Sequence, residues 1–138
     1  MTFYHDQMKV DQTASTRKIF TEDDVKAFAA LSTDMNPIHL DIDFASNSIF
    51  GQRIVHGLLT ASLFSALLAN NLPGQGTIYL SQSLTFKAPV FLGDIVDATV
   101  RVVELGERGR VRLQCICTVG EKVVIEGEAI VIAPKRPA

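Results

Sequence analysis

Two periods run along this chain, and they divide it nearly in half. From Thr21 the apolar positions Val25, Phe28 and Ala29 recur at steps of three and four, the spacing of one helix face. Thr21 stands where a cap is needed, and Asp24 follows three residues later in a variant of the capping box. Glu22, Asp23 and Asp24 suit the positive end of a helix dipole. A second helical run, "HGLLTASLFSALLAN", has almost no polar face, and a helix that is apolar all round is expected to be buried all round. Asn70, Asn71, Pro73 and Gly74 end it. Beyond residue 77 the period falls to two. "TIYLSQSLTF", "IVDATVRVVE", "RVRLQCICTV" and "KVVIEGEAIVIA" are β-branched runs of strand length, and Gly106, Gly109 and Gly120 mark tight turns between the last three. A further short strand is expected near 15–20.

The predicted architecture is α+β: one early strand, a helical region, then four antiparallel strands. An all-apolar helix needs cover on several sides, and a strongly curved antiparallel sheet can wrap it. The 138 residues suffice for one domain, read as 1–138. A chain of this size buries about two thirds of its unfolded surface and needs no disulfide or metal staple.

Composition narrows the function classes. Thirteen basic residues against fifteen acidic ones give a net charge of −2 with no basic stripe, so the electrostatic footprint of nucleic-acid binding is missing. The start, "MTFYHDQMKV", has no apolar stretch of the secretory kind. The run 58–69 is too short to cross a bilayer, which takes about 20 apolar residues. Cys115 and Cys117, one residue apart on a strand, point the same way and are poorly placed to bridge each other. They read as small buried hydrophobes in a reducing compartment, which makes the cytoplasm the expected location.

The chemistry concentrates in "LSTDMNPIHLD". Asp34 and His39 are five residues apart, about 140° of rotation on a regular helix, so they would not face one point there. Pro37 breaks the helix between them, and 34–43 is expected to be loop or at most a single turn. Freed from helical geometry, a carboxylate and an imidazole can converge on one water as an acid–base pair. The competing interpretation is turn chemistry, which Asx residues before Pro often serve. The spacing does not continue as a calcium loop, and zinc would find one nearby His and no paired Cys. Gly57 opens the apolar helix, where backbone N–H groups lack intrahelical partners and can receive an anionic oxygen. It could equally serve close packing of helix on sheet. His56 is expected to satisfy a backbone carbonyl. Ser62 and Ser65 are expected to bond back one turn, with Ser65 also able to hold a catalytic side chain.

"FAALSTDMNPIHLDIDFAS" resembles the hydratase 2 motif, in Phe28, Asp34, Asn36, Pro37, Ile38, His39 and Ala45. "RIVHGLLTASLFSALL", "SLTFKAPVFLGDIV" and "EGEAIVI" are also similar to the MaoC-type (R)-specific enoyl-CoA hydratases, the PhaJ type, over roughly residues 21–132. One departure is Thr33, where many members have Gly. The resemblance implies a hotdog fold and hydration of a trans-2-enoyl-CoA to the (R)-3-hydroxyacyl-CoA. Asp34 and His39 would activate the water, and the Gly57 N–H would polarise the thioester carbonyl. Asn36 would brace the loop and Ser65 would help position the pair. It implies no metal and no cofactor, an acyl-CoA substrate, a homodimer, and a setting in fatty-acid metabolism or polyhydroxyalkanoate synthesis. Many hotdog thioesterases and fatty-acid dehydratases carry an acid on the central helix, and 58–69 has none. Two alternatives stay open. One is a 3-hydroxyacyl-[acyl-carrier-protein] dehydratase, for which Arg53 and Lys87 could form a basic collar. The other is a non-catalytic acyl-thioester binding module.

Overall fold

The computed structural model describes residues 2–138. Six strands form one antiparallel sheet: β1 (Thr13–Ile19), β2 (Ile78–Gln82), β3 (Thr85–Phe86), β4 (Ile95–Leu105), β5 (Arg110–Val119) and β6 (Lys122–Ile132). Their order is β1-β4-β5-β6-β2, with β3 also on β6. Four α-helices lie between β1 and β2: α1 (Glu22–Ser32), α2 (Pro37–Leu40), α3 (Ile42–Ser46) and α4 (Gly57–Asn70).

The alternation along the long strands builds the core. Val96, Ala98, Val100 and Val102 of β4, with Val111, Leu113, Cys115 and Cys117 of β5, are fully buried on one face. The register sets Val100 opposite Cys115 and Ala98 opposite Cys117. On the other face, Arg101 reaches Gln114 and Asp11. Ala61, Phe64, Leu67 and Leu68 of α4 bury themselves in the core cluster, with α4 against β4, β1 and β5. The expected sheet packed on an apolar helix therefore forms. The α1 capping box also forms: the Asp24 N–H donates to Thr21 Oγ1, and the Thr21 N–H to the Asp24 carboxylate.

Three expectations are corrected. Burial of α4 is one-sided: Leu58 is 62 % exposed, and Ser62, Ser65, Ala66 and Ala69 are exposed beside it. A single sheet can cover only one flank of a helix, so an apolar period all round signals two partners rather than complete enclosure. The run 77–86 is two strands, not one. Between them the chain passes alongside β6, so closely that a Cβ at Gly127 would lie 1.8 Å from the Ser83 carbonyl oxygen. Only glycine admits that approach. The stretch 34–43 holds α2 and the start of α3 rather than loop. Pro37 ends α1's continuation, yet at the first helical position its missing N–H costs nothing, so it also begins α2.

The two sheet edges are unlike. On β1, Arg17 pairs with Asp97 and Lys18 with Asp24. On β2, Ile78, Tyr79 and Leu80 are exposed large side chains.

Candidate active site at the head of the buried helix

α1 ends at Thr33, which caps it with φ +66°, in the left-handed region. This is the position where the motif often has Gly, and the conformation supplies the reason: a β-branched residue is strained there. The reversal brings Asp34 over the head of α4. Its backbone N–H donates to Ser32 Oγ, and its carboxylate accepts from the Asn36 N–H at 3.2 Å. Asn36 Oδ1 in turn accepts from the Ile38 N–H at 3.1 Å, as the cap of α2. Two linked Asx turns thus hold the acid.

His39, buried on α2, is oriented by the segment leading into α4. Ile54 bridges to Phe91, and its N–H donates to the Ile38 carbonyl. The Ile54 carbonyl accepts from His39 Nδ1 at 2.8 Å. A carbonyl only accepts, so Nδ1 carries the hydrogen and the neutral ring keeps Nε2 as a free acceptor.

His56 is the third member. Its Nε2 donates to the Asp34 backbone oxygen at 3.1 Å. Its ring stacks on His39 with centroids 3.8 Å apart and planes 27° apart, and Phe28 tilts against its other side at 4.8 Å. Burial holds its pKa below the usual imidazole range, and neighbouring His39 adds to that. The expectation that His56 satisfies a backbone carbonyl is met, and the carbonyl is that of Asp34 itself.

Asp34, His39 and His56 each offer a donor atom within 4.8 Å of the others, where sequence reasoning had counted one His. One nitrogen of each ring is committed to a carbonyl, and the two rings lie face to face.

Gly57 begins α4, so its N–H has no acceptor within the helix. A Cβ there would fall 2.6 Å from Phe86 Cε1, so close packing also demands glycine. The close-packing reading of Gly57 is thus met, and its N–H stands at the open end of the helix. Beside it opens a cavity of about 460 Å³, walled by Asp34, His56, Gly57, Thr60, Phe86 and Ile125 among others. That volume suits a small-molecule ligand. His39 does not line this wall, although one of its ring nitrogens lies within 4.8 Å of an Asp34 carboxylate oxygen.

Other expected residues lie elsewhere. Ser65 is exposed and absent from the cavity wall, eight residues past Gly57 and about 12 Å along the axis. Ser62 donates back to the Leu59 carbonyl, as expected. Lys87 lines the cavity and pairs with Glu126, whereas Arg53 pairs with Glu22. Cys115 and Cys117 are free and buried, and burial pushes their thiols up to about 11 and about 12. Sequence reasoning missed Phe86, Thr60 and the Ile54 carbonyl. Only the apolar character of Phe86 was visible, with nothing to say that it would meet Gly57.

The chain is 50 % identical over 129 residues to the (R)-specific enoyl-CoA hydratase of Aeromonas caviae, covering 92 % of this chain and 96 % of that protein. It is 49 % identical over 134 residues to the 3-hydroxybutyryl-CoA dehydratase of Methylorubrum extorquens, covering 96 % and 85 %. A more distant relative is the mitochondrial 3-hydroxyacyl-[acyl-carrier-protein] dehydratase of Arabidopsis thaliana, 36 % identical over 92 % of this chain and 78 % of that one. Among solved structures, the (R)-hydratase from A. caviae involved in PHA biosynthesis superposes with a TM-score of 0.90 at 50 % identity, covering 92 % and 98 % of the two chains. The unliganded R-hydratase PhaJ1 from Pseudomonas aeruginosa gives 0.94 at 40 %, covering 98 % and 88 %. The sheet and its helix are thus the hotdog fold of these hydratases. Matched by the MaoC like domain over residues 5–127, and half identical to such enzymes over nearly its whole length, the chain belongs to the MaoC-like family.

Proposed function

We propose that this protein is a hydro-lyase, an (R)-specific enoyl-CoA hydratase that adds water to a trans-2-enoyl-CoA to give the (R)-3-hydroxyacyl-CoA. The observation that carries the reading is convergence. Asp34 and His39 bring a carboxylate oxygen and a ring nitrogen within 4.8 Å of each other, and Asp34 and Gly57, whose N–H opens α4, line one apolar cavity.

In the proposed reaction the Asp34 carboxylate and His39 Nε2 hold one water. As its oxygen bonds to C3, the C2=C3 π bond breaks and a proton passes to C2 on the same face. Negative charge that develops on the thioester oxygen is met by the Gly57 N–H, and one such donor is typically worth 10²–10³ in rate. Asn36 braces the loop. Because the thioester stabilises charge at C2, the chemistry asks for no metal or redox cofactor.

The carrier-protein dehydratase reading is weaker, since relatives with that name are 36 % identical where the CoA enzymes are 49–50 %. We also infer one domain over 1–138, working as a homodimer. The bare α4 flank and the apolar β2 edge frame a groove lined by Leu58, Ala61, Tyr79 and Leu80, which a second copy would cover. Ser65 lies on that flank, so we assign its supporting role to the assembled pair. No described helix is long and apolar enough to cross a membrane. The free buried thiols support a cytoplasmic setting.

The deciding experiment adds purified protein to crotonyl-CoA and follows loss of the enoyl absorbance. Loss that yields (R)-3-hydroxybutyryl-CoA, and that collapses in folded Asp34→Asn and His39→Gln variants, is the expected result. A folded wild type that leaves short- and medium-chain enoyl-CoA unchanged would overturn the reading.

A further inference from the structure

We propose that His56 is a positioning residue whose Nε2–H and ring face lock the Asp34 main chain, the His39 imidazole and the first turn of α4 into one rigid unit. The inference rests on the hydratase reading and extends it to a side chain outside the water-holding pair.

His56 occupies the N-cap of α4, where Ser, Thr, Asp or Asn is preferred because the side chain can take a first-turn N–H. It makes no such capping bond. Its Nε2 turns back to the Asp34 carbonyl oxygen at 3.1 Å, and its ring lies against His39 at 3.8 Å. The next residue in the chain is Gly57. One side chain therefore touches the acid's backbone and the base's ring, and adjoins the oxyanion donor. Leaving the first turn uncapped also keeps its N–H groups free for a ligand oxygen, which a capping carboxylate or hydroxyl would compete for.

The tautomer follows from the partners. The Asp34 carbonyl only accepts, so Nε2 carries the hydrogen. Nδ1 is buried without a partner in a residue 2 % exposed, so a hydrogen there would be an orphan donor on a desolvated cation. His56 thus sits as a neutral ring between Phe28 and His39, and an uncharged neighbour leaves the His39 face without a repelling charge.

Two readouts test this. In ¹⁵N-histidine NMR of the wild type at pH 7.5, His56 is expected as the neutral Nε2–H form. A cationic or Nδ1–H form overturns the proposal, and this result does not depend on activity. Kinetics then compare His56→Phe, which keeps the ring face without the donor, with His56→Gln, whose amide can still reach the Asp34 carbonyl. Small displacements of catalytic groups can cost about 10²-fold, so His56→Phe is expected to lose about that factor in kcat with KM within about threefold, and His56→Gln to recover to within about tenfold of wild type. Wild-type kcat in His56→Phe, or equal losses in both folded variants, would overturn the role. If either variant fails to fold, the NMR form of the wild type decides. An inactive wild type that still shows the Nε2–H form would sink the hydratase reading and leave the locked unit standing.

Discussion

The head of α4 and its outward flank belong to one apolar run, yet the structure treats them in opposite ways. At the head the contacts are particular: Nδ1 of His39 to Ile54, Nε2 of His56 to Asp34, and Gly57, where a Cβ would strike Phe86, against that ring. Along the flank, Leu58, Ser62, Ser65, Ala66 and Ala69 meet no tertiary cover. The difference separates two demands on a helix. The head requires particular atoms at particular points, whereas the flank requires only that its surface be small and apolar. Substitutions should respect that division.

The largest effects should come from the head. Asp34→Asn and His39→Gln are each expected to lower kcat by about 10²–10⁴-fold with the fold intact, since positioned acid–base groups contribute that much. Circular dichroism with stopped-flow hydration checks both. Gly57→Ala should act twice, because its methyl would press on Phe86 and displace the N–H behind it. A rate loss of about 10²-fold and a stability loss of about 1–3 kcal/mol are expected, read from kinetics and urea melts. Phe86→Leu in the same chain should recover more stability than rate.

On the flank, Leu80→Lys at the β2 edge should leave the head's geometry alone and shift the protein to monomer in light scattering. Arg17→Ser on β1 should not change its mass. A monomeric wild type would break the comparison, for the flank would then be bare without purpose.

Acidity offers a gentler test. The pKa of His56 lies below its ordinary value of 6.5, chiefly through burial. Below about pH 6.5 the unfolded chain therefore takes up a proton that the folded chain refuses, and stability falls by about 1.4 kcal/mol per pH unit until the lowered folded pKa is passed. Melting temperature should drop between pH 7 and 5, and drop less in His56→Gln. The smallest change expected is at Thr60, fully buried with its hydroxyl unpartnered. Thr60→Val keeps the shape and removes that unsatisfied group, so it should stabilise by about 1 kcal/mol, seen as a higher melting temperature. A lower melting temperature would mean that the hydroxyl has a partner in solution.

How far the sequence could be read follows the same division. Periodicity found every long strand and both long helices, since β4, β5 and β6 alternate over ten or eleven residues and α1 carries its own capping box. It failed where contacts between distant segments decide the outcome. Nothing local foretells that Ser83 packs onto Gly127, at the break that divides one run into β2 and β3. Asp34, Asn36, His39 and Gly57 were legible because their residue types are unusual in their places. Ser65 was read from its helix position alone, which does not say which flank is covered. The His56–Asp34 bond spans 22 residues and depends on the turn at Thr33, so only the folded chain displays it.

The unequal sheet edges bear on how far assembly can run. Strand addition needs an edge whose neighbours do not repel or obstruct, and Arg17 and Lys18 guard β1 with their ion pairs while Ile78 to Leu80 leave β2 open. A molecule with two open edges can polymerise head to tail. One with a single open edge, meeting its own copy about a two-fold axis, uses both available edges in one event and presents only guarded ones afterwards. In the proposed homodimer the sheet would therefore carry its own stop signal, and growth by strand addition would end at a closed pair.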